Sequence, residues 1–327
     1  RVGIRRACVR DRSGMRWPFA AALLLALASR LVRALATSAP AASGRLILVR
    51  HGQSTWNELG LFTGWADPPL TAQGRREAAH AGALLGAYGV RVDTALCSTL
   101  RRTSQSLETM LATLNQQPAV VRSWRLNEQH CGALTGWNKR ELAIAYGERQ
   151  VRRWRREPHV RPPPASELLS ERVVQLGARI GRLEQRRSCS LTAPSCESML
   201  DACSRYRPLW SHLIAPLVRR GQTVLVVGHG NMLRGAVREI EGLSDEQLMA
   251  LEIPQATPMM YHFDADMRPV EAFDELAHGG QAIQTDGIHG VLLGDPDAIR
   301  GAQELSAAAH TAQNAAPGSV LARAGLL

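Results

Sequence analysis

Leu46-Ile47-Leu48-Val49-Arg50-His51-Gly52 is the stretch that decides the fold. Four branched apolar residues in a row are the pattern of a strand buried on both faces. The break to Arg-His-Gly then puts a cation and an imidazole at its carboxyl end. In open α/β sheets ligands gather at that end of the strands. Far downstream, Thr223-Val224-Leu225-Val226-Val227 repeats the arrangement and runs into Gly228-His229-Gly230-Asn231 ahead of a helix-like stretch. Two strand-end histidines, each followed by glycine, point to one phosphate-handling site.

Working outward, Asp67-Pro68-Pro69-Leu70-Thr71 reads as a turn into a helix over residues 74–88, with Thr71 as N-cap and Gly89 as its end. Residues 94–97 read as a second short strand, and Ser98 as the cap of a helix over 99–114. Residues 119–121 and 123–126 look extended and lead into a loop over 127–135. Helices are expected over 138–146 and 148–156, stopped by Pro162-Pro163-Pro164. A long helix over 197–219 is expected to be interrupted near Pro208 and Pro216. Helices over 231–241 and 244–251, a strand over 259–263, an inserted loop over 271–290 and a last helix over 293–309 complete the pass, while residues 165–195 carry no clear period. Alternating strands and helices predict one α/β domain over 45–310, three layers around a mostly parallel central sheet, with a mobile tail over 311–327.

The formal charge of +10 does not mark a nucleic-acid binder. Residues 1–44 hold eight arginines and one aspartate, a net of +7, which leaves +3 for the rest of the chain. That basic start, with a short apolar run from Trp17 to Ala28 and small residues after it, is expected to be a targeting leader or an over-extended start outside the fold. As a leader it would direct the chain to an organelle, plastid or mitochondrion; without it the expectation is cytoplasmic. The apolar run falls short of the about 20 residues that span a bilayer, so no stable membrane insertion is expected. Six cysteines without a Cys-x-x-Cys pair suggest unpaired thiols rather than zinc or a disulfide framework. One lysine, Lys139, stands against 38 arginines, which marks a position where a compact ammonium is needed or has survived by chance.

A neutral imidazole is a competent nucleophile toward phosphorus when its second nitrogen is hydrogen-bonded and the incoming charge is neutralised. Arg50 beside His51, Arg101-Arg102 after the second strand, and His229 offer that neutralisation, since phosphoryl transfer is mostly positioning and electrostatics. The chemistry needs no metal. Glu128, on a loop beyond a short strand, is the candidate proton donor and acceptor for the leaving oxygen. Arg101 is read as a solvated helix-start cation, His130 and His159 as surface or loop residues, and Trp56, Trp65, Trp124 and Trp137 as packing elements.

Four blocks carry a resemblance: Arg50-His51-Gly52-Gln53-Ser54-Thr55-Trp56-Asn57, Leu61-Phe62-Thr63-Gly64-Trp65, Arg122-Ser123-Trp124-Arg125-Leu126-Asn127-Glu128, and His229-Gly230-Asn231 with Leu233-Arg234-Gly235. In order and spanning most of the chain after the leader, they resemble cofactor-dependent phosphoglycerate mutase of the histidine phosphatase superfamily. The resemblance implies interconversion of 2-phosphoglycerate and 3-phosphoglycerate in glycolysis and gluconeogenesis. It makes His51 the phosphohistidine, Glu128 the general acid/base, and Arg50, Arg102 and His229 the groups around the transferring phosphoryl. It implies 2,3-bisphosphoglycerate as the primer and no metal. Gln53, Ser54, Asn57, Thr63, Gly64, Lys139, Arg155, Arg156, Gly230 and Asn231 match substrate-binding positions. Gln129 and Cys131 stand at two more, where the family usually has Arg and Tyr. Pro254-Gln255-Ala256-Thr257-Pro258 also departs from the usual Pro-Thr-Gly-x-Pro. These departures keep open a phosphatase or a bisphosphoglycerate mutase/phosphatase of the same superfamily, or a weakened protein that only binds phosphorylated ligands. The expected partners are phosphoglycerates and not nucleic acid, with homo-oligomer formation open.

Overall fold

The computed structural model describes residues 44–165, 194–271, 282–284 and 287–308. The expected leader, the 311–327 tail and most of the aperiodic 165–195 stretch lie outside the described residues. Strand β1 (Arg45–Arg50) and strands β2 (Thr94–Cys97), β3 (Ala119–Arg122) and β4 (Thr223–Gly228) form one parallel half of a sheet. The other half, β5 (Pro258–Phe263), β6 (Pro269–Val270), β7 (Ala282–Gln284) and β8 (Val291–Leu293), is antiparallel. The order is β3-β2-β4-β1-β5-β8-β7, with β6 paired to β5. The sheet is therefore mixed, parallel through its core, rather than mostly parallel throughout.

The helices are α1 (Thr55–Glu58), α2 (Ala72–Ala87), α3 (Arg101–Leu114), α4 (Lys139–Tyr146), α5 (Glu148–Arg156), α6 (Met199–Leu209), α7 (Ala215–Arg219), α8 (Gly230–Glu241), α9 (Asp245–Ala250) and α10 (Pro296–Ala308). Because side chains alternate along a strand, Ile47 and Val49 of β1 face one cluster with Ala78, Leu85, Leu107 and Met110 of α2 and α3. Leu46 and Leu48 face the other, with Tyr206 of α6 and Leu233 and Val237 of α8. That two-sided burial is the three-layer arrangement. A third cluster, Phe62, Ala133, Leu134, Trp137, Leu142, Val151 and Trp154, holds α4 and α5 together.

Several local expectations change. Thr71 does cap α2, its side chain accepting from Gly74 N at 3.0 Å. Ser98 does not cap the next helix: α3 starts at Arg101, and Ser98 Oγ accepts from Leu100 N and meets His229 instead. Residues 124–126 are a 3-10 turn, not an extended piece. The helix runs through Pro208 to Leu209, a π turn, Trp210–Ile214, then separates α6 from α7, and Pro216 falls in the first turn of α7, where a missing N–H costs nothing. The expected 271–290 loop contains β7, and residues 291–293 begin not a helix but β8, the two pairing as an antiparallel ladder. Three-residue strands are too short to display a period of two. Among the described residues no helix is long and apolar enough to cross a membrane.

Candidate active site

Adjacent pairing of β1 and β4 puts Arg50 beside Gly228, and His51 N donates to Gly228 O at 3.0 Å. The residues one step beyond the two strand ends, His51 and His229, therefore meet, their ring centroids 5.0 Å apart in an edge-to-face arrangement. His51 Nδ1 lies 2.7 Å from Gly52 O, a contact that requires the proton on Nδ1 and makes Nε2 the acceptor nitrogen of the ring. Arg102 Nε approaches that Nε2 at 3.2 Å, while its terminal nitrogens donate to Ala66 O at 2.8 Å and Gly64 O at 2.9 Å. Helix phase separates the two adjacent arginines: Arg102 is buried, and Arg101 is exposed, as expected of a solvated helix-start cation. Gly52 is required by a close approach, since a Cβ there would lie 2.2 Å from Gly74 O.

Glu128 sits at the amino end of α8. Its carboxylate accepts from Gln129 N at 2.9 Å, Met232 N at 3.2 Å and Asn231 N at 3.4 Å, which fixes its oxygens at the start of the helix that His229 precedes. Its loop is clamped from behind by Arg205. One terminal nitrogen of Arg205 donates to the carbonyls of Trp124, Arg125 and Asn127, the other to Glu128 O, and the guanidinium pairs with Glu197 at 2.9 Å. Neither Arg205 nor Glu197 was expected at the site. Glu197 lies just before the cap of α6 and Arg205 within it, and nothing local in the sequence marks the pair.

The cavity above these groups encloses about 130 Å³. Arg50, His51, Arg102, Glu128, Gly230 and Asn231 line it on the side of the sheet, and Lys139, Arg155 and Arg156, from α4 and α5, supply a second group of cations. Asn57, Thr63, Gly64, Gln129 and Cys131 also line it. Gln53 and Ser54 do not: Gln53 bonds to Thr71 and Glu77, and Ser54 caps α1 by exchanging bonds with Asn57. Gln129 lines the wall with its side chain engaged, donating to Glu197 O at 2.7 Å and accepting from Asn231 at 2.8 Å. His130 is not a surface residue but buried, its ring 5.7 Å from Trp65. His159 is exposed and pairs with Asp245. Of the tryptophans, Trp137 is core, whereas Trp124 is half exposed.

Sequence reading missed Ser98, Arg234 and Glu252. Ser98 Oγ meets His229 Nε2 at 2.8 Å. Arg234 and Glu252 line the cavity, Arg234 one helical turn from Asn231, to which it donates at 3.2 Å. Buried polar atoms without partners are rare in proteins. Here Arg50 Nε, Thr63 Oγ1, His229 Nδ1 and Arg234 Nε are four of them, gathered at one site. That concentration is what an anionic ligand would complete.

Burial, then Arg102, then Arg50 push the His51 imidazole well below its ordinary value of 6.5, and burial with Arg102 and His51 does the same to His229. Burial lowers Arg102 to about 10, still charged at neutral pH, and lowers Lys139, next to Arg155, to about 7. Both histidines are thus neutral in the ligand-free fold. Below about pH 6.5 the unfolded chain takes up protons that the folded chain refuses, so stability falls as pH falls. Lowering the pH from about 7 to about 5.5 is therefore expected to reduce the unfolding free energy. The urea midpoint at the two pH values measures it; a midpoint equal or higher at the lower pH contradicts neutral histidines.

A family model described as histidine phosphatase superfamily, branch 1, matches residues 46–189 and 178–275. The chain belongs to the histidine phosphatase superfamily. Members of this superfamily are phosphatases and phosphotransferases, which makes the chain an enzyme of phosphoryl chemistry. Solved structures share the histidine phosphatase fold. The mycobacterial glucosyl-3-phosphoglycerate phosphatase is similar at 22% identity and a TM-score of 0.51, over 67% of this chain and 92% of that one. The α-ribazole phosphatase of Shigella flexneri gives 22% and 0.51, over 69% and 93%. The Bacillus stearothermophilus protein YhfR gives 22% and 0.51, over 69% and 94%. Among the described residues of the chain, no group of three or more His, Cys, Asp or Glu side chains is arranged to hold a metal ion.

Proposed function

We propose that the protein is a phosphoglycerate mutase that passes a phosphoryl group between the 2- and 3-hydroxyls of glycerate through phosphohistidine at His51, with 2,3-bisphosphoglycerate as primer. The observation that carries this reading is the second group of cations, Lys139, Arg155 and Arg156, in the same cavity as the histidines. A phosphatase has to neutralise one phosphoryl group. A mutase has to hold a phosphate and a carboxylate in two orientations, and so has use for cations beyond the phosphoryl position. The cavity size supports a compact substrate, since about 130 Å³ is well under the about 300–1,000 Å³ typical of pockets for drug-sized ligands.

In the proposed reaction, His51 Nε2 attacks phosphorus in line with the leaving oxygen, while Gly52 O keeps the Nδ1 proton in place. Arg102 and Arg50 neutralise the equatorial oxygens, and His229, with Nδ1 unpartnered, donates to one of them. Glu128 protonates the leaving alkoxide. It then takes the proton of whichever hydroxyl attacks the phosphohistidine, so the same carboxyl serves both half-reactions. Water in place of that hydroxyl gives hydrolysis, the second reading. Two observations favour it: the neutral Gln129 side chain is engaged with Glu197 and Asn231, and two of the similar structures are phosphatases by name.

Product partition decides between them. With 3-phosphoglycerate and the bisphosphorylated primer, the expected product is 2-phosphoglycerate; release of inorganic phosphate alone overturns the mutase reading. In the same assay Lys139→Met is expected to raise KM for 3-phosphoglycerate about tenfold or more through loss of a buried charge-assisted contact, while changing p-nitrophenyl phosphate hydrolysis about threefold or less.

A further inference from the structure

Leu251-Glu252-Ile253 places a carboxylate between two buried apolar residues just after α9. The backbone there is pinned from both sides: Arg156 donates to Leu251 O at 3.4 Å and Arg50 donates to Ile253 O at 3.1 Å. The Glu252 side chain, 16% exposed, turns into the cavity and forms an ion pair with Arg156, itself 7% exposed. Both terminal nitrogens of Arg156 are therefore engaged by residues 251 and 252. The resemblance implies that Arg155 and Arg156 together receive the substrate's second anionic end, but here Arg156 already holds an anion of the protein's own.

A carboxylate inside a cavity built for anions needs an explanation. Burial of a charge is tolerated only when the charge is paired, which Arg156 satisfies. Pairing does not remove the repulsion between that carboxylate and an anionic ligand in the same low-dielectric space. The Glu252 charge also acts on Arg50, Arg155 and Arg234, so its influence covers most of the cavity's cations. Glu128, the other acid of the cavity, has a task in proton transfer. Glu252 touches neither histidine in any hydrogen bond described, and its ion pair is with a cation of the cavity, Arg156. Discrimination between two ligands that share one phosphate and one carboxylate but differ by a further phosphate follows most directly from a fixed repulsive charge.

We propose that Glu252 is a specificity-determining residue that caps the negative charge the cavity will hold, so that the site favours singly phosphorylated three-carbon acids over doubly phosphorylated ones. This rests on the phosphoglycerate reading above. Its consequence for turnover is direct. A bisphosphorylated intermediate that is held weakly escapes more often, each escape leaves His51 unphosphorylated, and the enzyme then depends on fresh primer.

The test is calorimetric titration of the full chain carrying His51→Ala, in which no phosphoryl transfer occurs, with 3-phosphoglycerate and with 2,3-bisphosphoglycerate. The bisphosphate is expected to bind within about tenfold of the monophosphate in spite of its added charge, and Glu252→Gln is expected to tighten the bisphosphate at least about threefold more than the monophosphate. A bisphosphate already bound more than about tenfold tighter by the His51→Ala protein, or a smaller difference on Glu252→Gln, overturns the role of Glu252. If the Glu252→Gln protein does not fold, the first ratio decides by itself. Binding of neither ligand removes the phosphoglycerate reading, and the role of Glu252 falls with it.

Discussion

His51→Ala is expected to abolish acid-labile phosphorylation of the protein and to lower phosphoryl transfer by about 10⁴-fold or more, the scale seen when a covalent nucleophile is removed. The expectation follows from geometry before it follows from family. His51 has its Nδ1 proton committed to Gly52 O, a lone pair on Nε2 and a fixed guanidinium 3.2 Å from that nitrogen. His229, the other imidazole of the site, has Nε2 bonded to Ser98 and keeps Nδ1, its unpartnered nitrogen, to donate to a phosphoryl oxygen. Some loss of stability is expected as well, because alanine leaves the buried Arg102 Nε and Gly52 O without their partner in the ligand-free site. Mass spectrometry under alkaline conditions after incubation with a phosphoryl donor reads the modification, and undiminished labelling of the alanine variant would move the nucleophile elsewhere.

Glu128→Gln is expected to lower kcat by about 10²–10⁴-fold, the usual contribution of a positioned general acid/base. The amide keeps one oxygen for the backbone N–H groups of Gln129 and Met232, which share Oε1, and gives up only the longer contact from Asn231 N to Oε2, so the loop should stay seated under the Arg205 clamp. What it loses is the proton. Substrates whose leaving oxygen needs none, such as p-nitrophenyl phosphate, should therefore be affected far less than phosphoglycerates. Equal losses on both substrates would assign Glu128 a binding role and leave the proton donor unidentified.

The parts of this protein that are legible in sequence are those whose signal is local. An apolar run broken by His-Gly marks the end of β1 and of β4, and strand adjacency does the rest, bringing His51 and His229 within ring contact. The choice between Arg101 and Arg102 is a matter of helix phase. Arg101 reads as solvated and Arg102 as the residue at the phosphoryl group, and the first turn of α3 places them so. Ser98 was misread because a serine before a helix usually caps it; here tertiary contact with His229 prevails over the local preference. His130 is a loop residue, as its surroundings in the sequence suggest, but it is buried rather than exposed because Trp65 packs against it. Glu252 had no local signal at all, since its partner lies 96 residues away on α5. The antiparallel half of the sheet was partly hidden for a different reason, its strands β7 and β8 being only three residues each.

Lys139 gives the site a chemical handle. It is the one lysine of the whole chain, it lines the cavity, and with its ammonium lowered to about 7 a substantial share is free amine at neutral pH. An acylating reagent that finds side-chain amines can therefore modify this protein at a single lysine, and that lysine is inside the cavity. Occupancy by an anion both blocks the approach and restores the proton, so the rate of acylation becomes a direct gauge of how full the site is.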